Sequence, residues 1–431
     1  MSHTGAVWFE SLTGFREDAV SNVAAQFVVD GAQITSKWNG RAMRCGRFET
    51  PTLGELRMRS GTAGKGGTLR LREVVASVRD LHADASNNGA FFQVASQFNT
   101  LEMASPSITP EAGVDGYERD LTQGPGCAIA CGAGTIYRNY LVPLEGRAGQ
   151  TATRQVNCLA DLAAALGVVI EMRNGYALPT ASQLERINGF LFEADEPTRD
   201  ALMAHLRVGV QWDTEVTISR SRHTVTQAYC SALPVAYAAH PRELWQPFAR
   251  LVLDAAYEAS LAAAVLNHEA TKSRSVFLTL LGGGAFGNDT PWIVSAIERA
   301  LRIFARTDLD VAIVSYGTSN PNLSALLTPP ASWADALFAE RPRQWGLRGD
   351  PFLWNDLYAA LRSMPPPSTS KDLEHLIGRE LRRLCGVDVD TTDRESVSIE
   401  RYRTVGMSGG HIAPRAWRAR LVPLLVRRFV T

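Results

Sequence analysis

The stretch that most constrains this chain is Leu280-Leu281-Gly282-Gly283-Gly284-Ala285-Phe286-Gly287-Asn288-Asp289. A strand-like run, residues 276–281, leads into it, and a helix-like run beginning Pro291-Trp292-Ile293 follows. A strand-to-helix turn needs one or two glycines, and here four fall within six residues. Glycine lets backbone N–H groups approach a ligand closely, and successive N–H groups favour an anion. The helix behind is expected to start at Asp289 or Thr290 as N-cap with Pro291 next, so its free N–H groups and dipole add to the attraction. Ile293, Ala296, Ile297, Ala300, Leu301 and Phe304 recur at helical spacing and give it a buried face. The loop therefore points to a phosphate or pyrophosphate.

Gly282, Gly284 and Gly287 also fit the dinucleotide pattern G-x-G-x-x-G. That pattern wants an acidic residue at the end of the next strand, to hold a ribose. Here that strand, residues 311–317, runs into Thr318-Ser319-Asn320 instead. The Lys-Ser/Thr of a Walker A loop is absent too. A nucleotide-dependent oxidoreductase on a Rossmann-like sheet stays as an alternative.

Around the loop, strands alternate with helices, which predicts an α/β fold with a largely parallel sheet. The 431 residues are enough for more than one domain. Hairpins are expected at Asp30-Gly31 and Asn174-Gly175. Residues 71–81 carry apolar positions at helical spacing, 91–98 read as a strand, and 242–269 as a long Ala-rich helix. Residues 60–68 and 363–371 read as a loop and a linker, with amphipathic helices after the linker at 371–386 and at the C-terminal end. Lys+Arg and Asp+Glu balance at 44 each, so net charge points to neither nucleic acid nor an anionic membrane. Six scattered cysteines complete no zinc pattern, and no metal site is expected. No apolar stretch reaches a membrane span and no leader is visible, so a cytoplasmic chain is expected.

The second unusual stretch is residues 91–140. A strand ends near Gln97 and Asn99, and a long irregular loop follows. It carries five carboxylates within 19 positions, Glu102, Glu111, Asp115, Glu118 and Asp120, around Gly113-Val114-Asp115-Gly116. Thr122-Gln123-Gly124-Pro125-Gly126 closes it. Structureless loops of this length are uncommon inside a domain and are usually functional.

Taken in order, Asn99, Gly113-Val114-Asp115-Gly116, the glycine loop and the strand ending Tyr316-Gly317-Thr318-Ser319-Asn320 resemble the macrodomain family. The resemblance covers roughly residues 70–325, with an insertion around 140–240. It implies a three-layer α/β/α mixed sheet that binds ADP-ribose in a domain of residues 1–340, followed by a small C-terminal α+β domain, 343–431. Residues 345–354 and 405–418 resemble a small bacterial domain of unknown role. The acid-rich first loop departs from ordinary macrodomains. It is more similar to a divergent branch that removes ADP-ribose from arginine side chains, which includes a bacterial effector acting on ADP-ribosylated ubiquitin. The resemblance implies an ADP-ribosyl hydrolase for mono-ADP-ribose, with an ADP-ribosylated protein such as ubiquitin as partner, ADP-ribose as ligand and no cofactor required.

Cleaving an N-glycosidic bond builds positive charge on the ribose carbon. One carboxylate stabilises it while another moves a proton. Asp120, Glu111 and Glu102 are the first candidates, with Asp115 as the alternative. The ligand-binding set implied is Gln97, Asn99, Gly113, Val114, Thr122, Gln123, Gly282, Gly283, Gly284, Ala285, Phe286, Gly287, Asn288 and Tyr316. A non-catalytic ADP-ribose reader would use the same glycine loop without the acids. A scaffold whose C-terminal domain carries the function is a further alternative.

Overall fold

The computed structural model describes residues 8–61, 66–220 and 222–327, with short stretches beyond. Two compact units are present, Met1–Ala194 with Thr198–Leu327 and Asp195–Pro197 with Thr328–Thr431. The first is a mixed α/β unit built on a seven-stranded sheet. Its strands are β1 (Arg47–Glu49), β2 (Arg70–Val75), β3 (Phe91–Ala95), β4 (Gly209–Glu215), β5 (Thr224–Cys230), β6 (Ser275–Leu278) and β7 (Asp310–Ser315). Their order across the sheet is β1-β4-β5-β3-β6-β7-β2. The β1–β4 and β4–β5 pairs are antiparallel, and every pair from β5 to β2 is parallel.

Side chains alternate across the parallel strands, as a sheet covered on both faces requires. Phe91, Val276, Leu278, Val311 and Ile313 face one layer. That layer holds α1 (Leu53–Ser60), α4 (Arg242–Thr271) and α5 (Thr290–Ile303). Phe92, Val94, Phe277, Ala312 and Val314 face the other, with α2 (Val78–Ala83) and α3 (Gln123–Ala130). Helix α4 is buried at every position but Arg250 between Phe248 and Ala264. Its run of alanines lets α1 and α5 approach it closely. Among the described residues no helix is long and apolar enough to cross a membrane.

A second core lies apart from the sheet. Phe9, Leu12, Phe15, Ile34 and Met43 from the N-terminal residues pack against Leu101, Met103, Val114 and Tyr117 of the acidic loop. The hairpin Phe27–Asp30 with Gln33–Ser36 belongs to this part; it forms as expected but turns at Gly31-Ala32, with Asp30 still paired to Gln33. The Asn174-Gly175 hairpin, Glu171–Arg173 with Tyr176–Leu178, is present too.

Two expectations are corrected. Residues 71–81 do not form one helix: the first part is β2 and only Val78–Ala83 is helical. Leu69 and Leu71 alternate as in a strand and face one layer while Val74 faces the other. Leu71, Val74, Val75 and Val78 also fit a period of 3.6, and parallel pairing with Asp310–Ser315 decides between them. The C-terminal helix also fails at Trp417–Ala419, which pair antiparallel with Val397–Ile399. Residues 62–65 of the expected loop, the motif at 345–354, all but the last two residues of the motif at 405–418, and most of the expected linker and following helix lie outside the described residues.

A charged cluster ties the helical layer together. Glu258 of α4 is buried and accepts from Arg57 Nε of α1 at 2.6 Å and from Arg299 of α5 at 2.5 Å. Asp200 receives the second face of Arg57 at 2.8 and 2.9 Å. Removing the buried member leaves two guanidiniums sharing only the more exposed Asp200. Glu258→Ala is therefore expected to cost about 3–5 kcal/mol of stability, read as a lower urea midpoint with an unchanged slope. A shift of a few tenths would show that the cluster is a solvated surface feature.

Candidate active site

The loops after β3, β5, β6 and β7 all leave the same edge of the sheet and surround a cavity of about 600 Å³. Each loop contributes to the wall: Ser96 and Gln97, then Ala232 and Tyr237, then residues 279–286, then residues 316–321. The start of α3 and the loop before it, residues 120–125, close the remaining side with Glu102.

Glu102 is presented by a tight reversal after β3. The Gln97 amide N–H bonds to the Leu101 carbonyl at 3.2 Å. Thr100, inside that turn, has φ of +64°. A left-handed β-branched residue is strained by about 1–3 kcal/mol and persists only where its surroundings impose it. The Arg138 guanidinium holds the Thr100 carbonyl at 3.1 Å. Both ends of the Gln97 side chain engage the Met103 backbone, at 2.7 and 3.2 Å. The Glu102 N–H donates to the Tyr117 hydroxyl oxygen at 2.9 Å. Glu102 is thus fixed by its neighbours rather than by bonds to its own carboxyl.

That carboxyl is 5% exposed, and its Oε1 has no hydrogen-bond partner. Burial raises its pKa well above the ordinary carboxylate range. The Arg138 guanidinium and Ser96 hydroxyl oppose the rise, and the nearby charge of Asp120 adds to it. Arg138 is buried, bonded to the neutral acceptors of Thr100, Gln211 and Thr135, with its guanidinium carbon 3.5 Å from the Tyr229 ring centroid. A Cβ on Gly124 would collide with the Ala95 carbonyl oxygen and lie 2.5 Å from Glu102 Oε2. Glycine at this position is what lets α3 begin against the carboxyl.

The glycine loop is braced from behind. The Ala236 N–H donates to the Phe286 carbonyl at 3.0 Å and Asn288 Nδ2 to the Leu233 carbonyl at 2.8 Å. Arg242 holds the Gly287 carbonyl at 3.0 Å and the Asp289 carboxylate. Gly282 and Gly287 have φ of +76° and +70°, and a Cβ on either would press on Ala232 or Ala236. The N–H groups of Gly284, Ala285 and Phe286 find no acceptor among the described residues. Helix α5 begins just behind, and Thr290 and Ile293 of its first turn reach the cavity.

Of the residues singled out in the sequence, Glu102, Asp120, Gln97, Thr122, Gln123, Gly282, Gly283, Gly284, Ala285, Phe286 and Tyr316 line the cavity. The others do not. Glu111 is exposed and accepts the Ala152 N–H at 2.9 and 3.0 Å. Asn99 is buried in the turn, bonded to Gln155 and the Leu101 N–H. Gly113, Val114 and Asp115 belong to a turn facing the N-terminal residues. Gly287 and Asn288 anchor the base of the glycine loop rather than its lip.

Sequence reasoning found Phe286 but missed Tyr176 and Tyr237, which complete an aromatic wall with it. Tyr176, Tyr237 and Phe286 meet with ring centroids 5.0–5.7 Å apart. Tyr176 is the first residue after the Asn174-Gly175 turn, and its hydroxyl donates to the Met103 carbonyl at 2.6 Å. Nothing in the local sequence signals that this hairpin reaches the cavity. No Lys, Arg or His among the described residues lines the cavity. Among the described residues no group of three or more His, Cys, Asp or Glu side chains is placed to hold a metal ion.

No protein-family model and no curated protein matches the chain. Solved structures similar to it include poly(ADP-ribose) glycohydrolase from Deinococcus radiodurans in complex with ADP-ribose. The TM-score is 0.34 and the identity 10%, over 65% of this chain and 95% of that chain. The same protein in apo form gives 0.34 and 13%, over 66% and 94%. The Thermomonospora curvata poly(ADP-ribose) glycohydrolase bound to the inhibitor ADP-HPD gives 0.31 and 14%, over 67% and 89%. The likeness is distant, and the chemistry of this chain rests on its own cavity.

Because the folded state raises the Glu102 pKa, it retains a proton that the unfolded chain releases. Its stabilising contribution is complete below the ordinary carboxyl pKa and is lost as pH rises through the raised one. Glu102→Gln, which cannot ionise, should gain stability over the wild type as pH rises from 5 to about 9. Thermal melts of both proteins across that range test this. A gap that does not widen with pH would mean that Glu102 is not held in its protonated form.

Proposed function

We propose that this protein is an ADP-ribosyl hydrolase that removes single ADP-ribose units from modified protein side chains, with arginine as the linked residue. One observation carries the reading. A buried carboxyl with an unpartnered oxygen, Glu102, shares a cavity with three unclaimed backbone N–H groups on the glycine loop. The volume falls within the roughly 300–1,000 Å³ of small-ligand pockets.

With no basic side chain among the described residues of the wall, the pyrophosphate is held by the N–H groups of Gly284, Ala285 and Phe286 and the start of α5. The ribose beyond it lies toward Glu102 and Asp120. Glu102, holding its proton, delivers it to the leaving nitrogen as the bond to the ribose carbon breaks. The Asp120 carboxylate, more open to solvent, offsets the positive charge on that carbon and orients the attacking water. Water attacks the ribose carbon as the carbon–nitrogen bond breaks and returns a proton to Glu102, giving ADP-ribose and the free side chain. The three aromatic rings and the Asp120 carboxylate favour a flat, cationic leaving group such as guanidinium.

Titration calorimetry with ADP-ribose, with NAD as control, tests the binding half. Selective ADP-ribose binding is expected, and its absence would overturn the reading. In turnover of arginine-, glutamate- and serine-linked ADP-ribosylated protein, the arginine-linked form should react fastest. Glu102→Gln should lower that turnover by about 10²–10⁴-fold while ADP-ribose still binds. Binding with no turnover by the wild type on any linkage would identify a reader instead.

A further inference from the structure

Residues 8–45 contribute no side chain to the cavity wall, yet they form the core beneath the acidic loop. Two carboxylates join the parts: Glu118 accepts the Trp8 N–H at 3.4 Å, and Glu17 makes the larger set of bonds. Glu17 stands at the start of a short 3-10 turn, Glu17–Ala19. Both oxygens of its carboxylate accept the Val114 N–H at 3.0 Å, and Oε2 also accepts the Asp115 N–H at 2.8 Å. The Tyr140 hydroxyl donates to Oε1 at 2.6 Å. Gly113 has φ of +85°, and a Cβ there would collide with the carboxylate. The Gly113–Asp115 turn thus forms a small anion nest, and the chain's own Glu17 fills it.

The bonds continue toward the cavity. Asp115–Arg119 form the next turn, and its Tyr117 is buried against the N-terminal core. Tyr117 is the residue whose hydroxyl oxygen accepts the Glu102 N–H. Burial works against the Glu17 charge, while Tyr140 and the two amides support it. Glu17 is separated from the reacting groups by a turn and Tyr117 on one side, and by Tyr140 and the segment that carries Arg138 on the other.

We infer that Glu17 is a positioning residue for Glu102, holding the Gly113–Arg119 turn so that Tyr117 fixes the Glu102 backbone. The catalytic part of this inference rests on the proposed function, and its structural part does not. Misplacing a reacting group by about 1 Å costs up to 10²-fold in rate. In the full chain, Glu17→Ala should lower kcat by about tenfold or more, while KM and ADP-ribose affinity stay within roughly threefold. Glu17→Gln keeps an oxygen to accept the two amides and should restore part of kcat. Amide hydrogen exchange supplies a readout that needs no activity. The Glu102, Val114 and Asp115 amides should lose protection in Glu17→Ala, while the β3 and β6 amides keep theirs.

Wild-type kcat in Glu17→Ala would overturn the inference. So would equal loss of kcat and ADP-ribose binding together with loss of protection throughout the sheet, because Glu17 would then only support the fold. If the wild type binds no ADP-ribose, the proposed function falls. Exchange at Glu102 still decides whether Glu17 holds it, and unchanged protection there would refute the positioning role.

Discussion

Parallel register is the constraint on which this structure depends. Strands β5, β3, β6, β7 and β2 run the same way and are paired residue for residue, from Cys230 beside Ala95 to Ser315 beside Val75. Their carboxyl ends therefore finish along one edge. Four segments far apart in sequence must emerge there together, and a crevice at such an edge is where open parallel sheets bind ligands. The apolar alternation that buries both faces also fixes the register, since a one-residue slip would turn Phe91 and Phe92 to the wrong layers. Packing of the two cores and placement of the cavity are thus one requirement.

Within that frame the cavity concentrates unfavourable terms. Thr100 is strained, Glu102 is buried without a partner on Oε1, and Arg138 is buried with neutral acceptors. None of these helps the fold. Each is held by bonds from elsewhere: Gln97 on Met103, Tyr117 on Glu102, Tyr229 under Arg138. Such local costs at a concave site are what pre-organised chemistry requires.

The glycine loop was legible because its composition exceeds what a turn needs, and the Asn174-Gly175 hairpin because Asn-Gly encodes its turn directly, whereas Asp30-Gly31 marked its hairpin one residue early. Strand β2 was obscured because a short apolar run fits two periods at once and its partner, β7, lies 240 residues away at Arg70 and Asp310. The acidic loop shows a different limit. Its five carboxylates look alike in one dimension, but only Glu102 and Asp120 turn toward the cavity. Glu111 caps the Ala152 amide, and the Gly113–Asp115 turn is claimed by Glu17, 97 residues away from Val114. In a segment without a period nothing in the sequence reports the direction of a side chain. The Tyr176 contribution was hidden for the same reason, since a hairpin tip can be recognised long before its destination can.

The lip of the glycine loop has a consequence for how this protein could be probed. Its donors at Gly284, Ala285 and Phe286 are main-chain amides, so no side-chain deletion can remove them. An alanine scan, which elsewhere subtracts contacts, here adds carbon. At Gly282 or Gly287 the added carbon would meet Ala232 or Ala236, whereas at Gly284 it would meet nothing. The loop is therefore specified by where atoms must be missing. A mutational map of it would be uneven, with neighbouring glycines that look identical in the sequence tolerating change very differently.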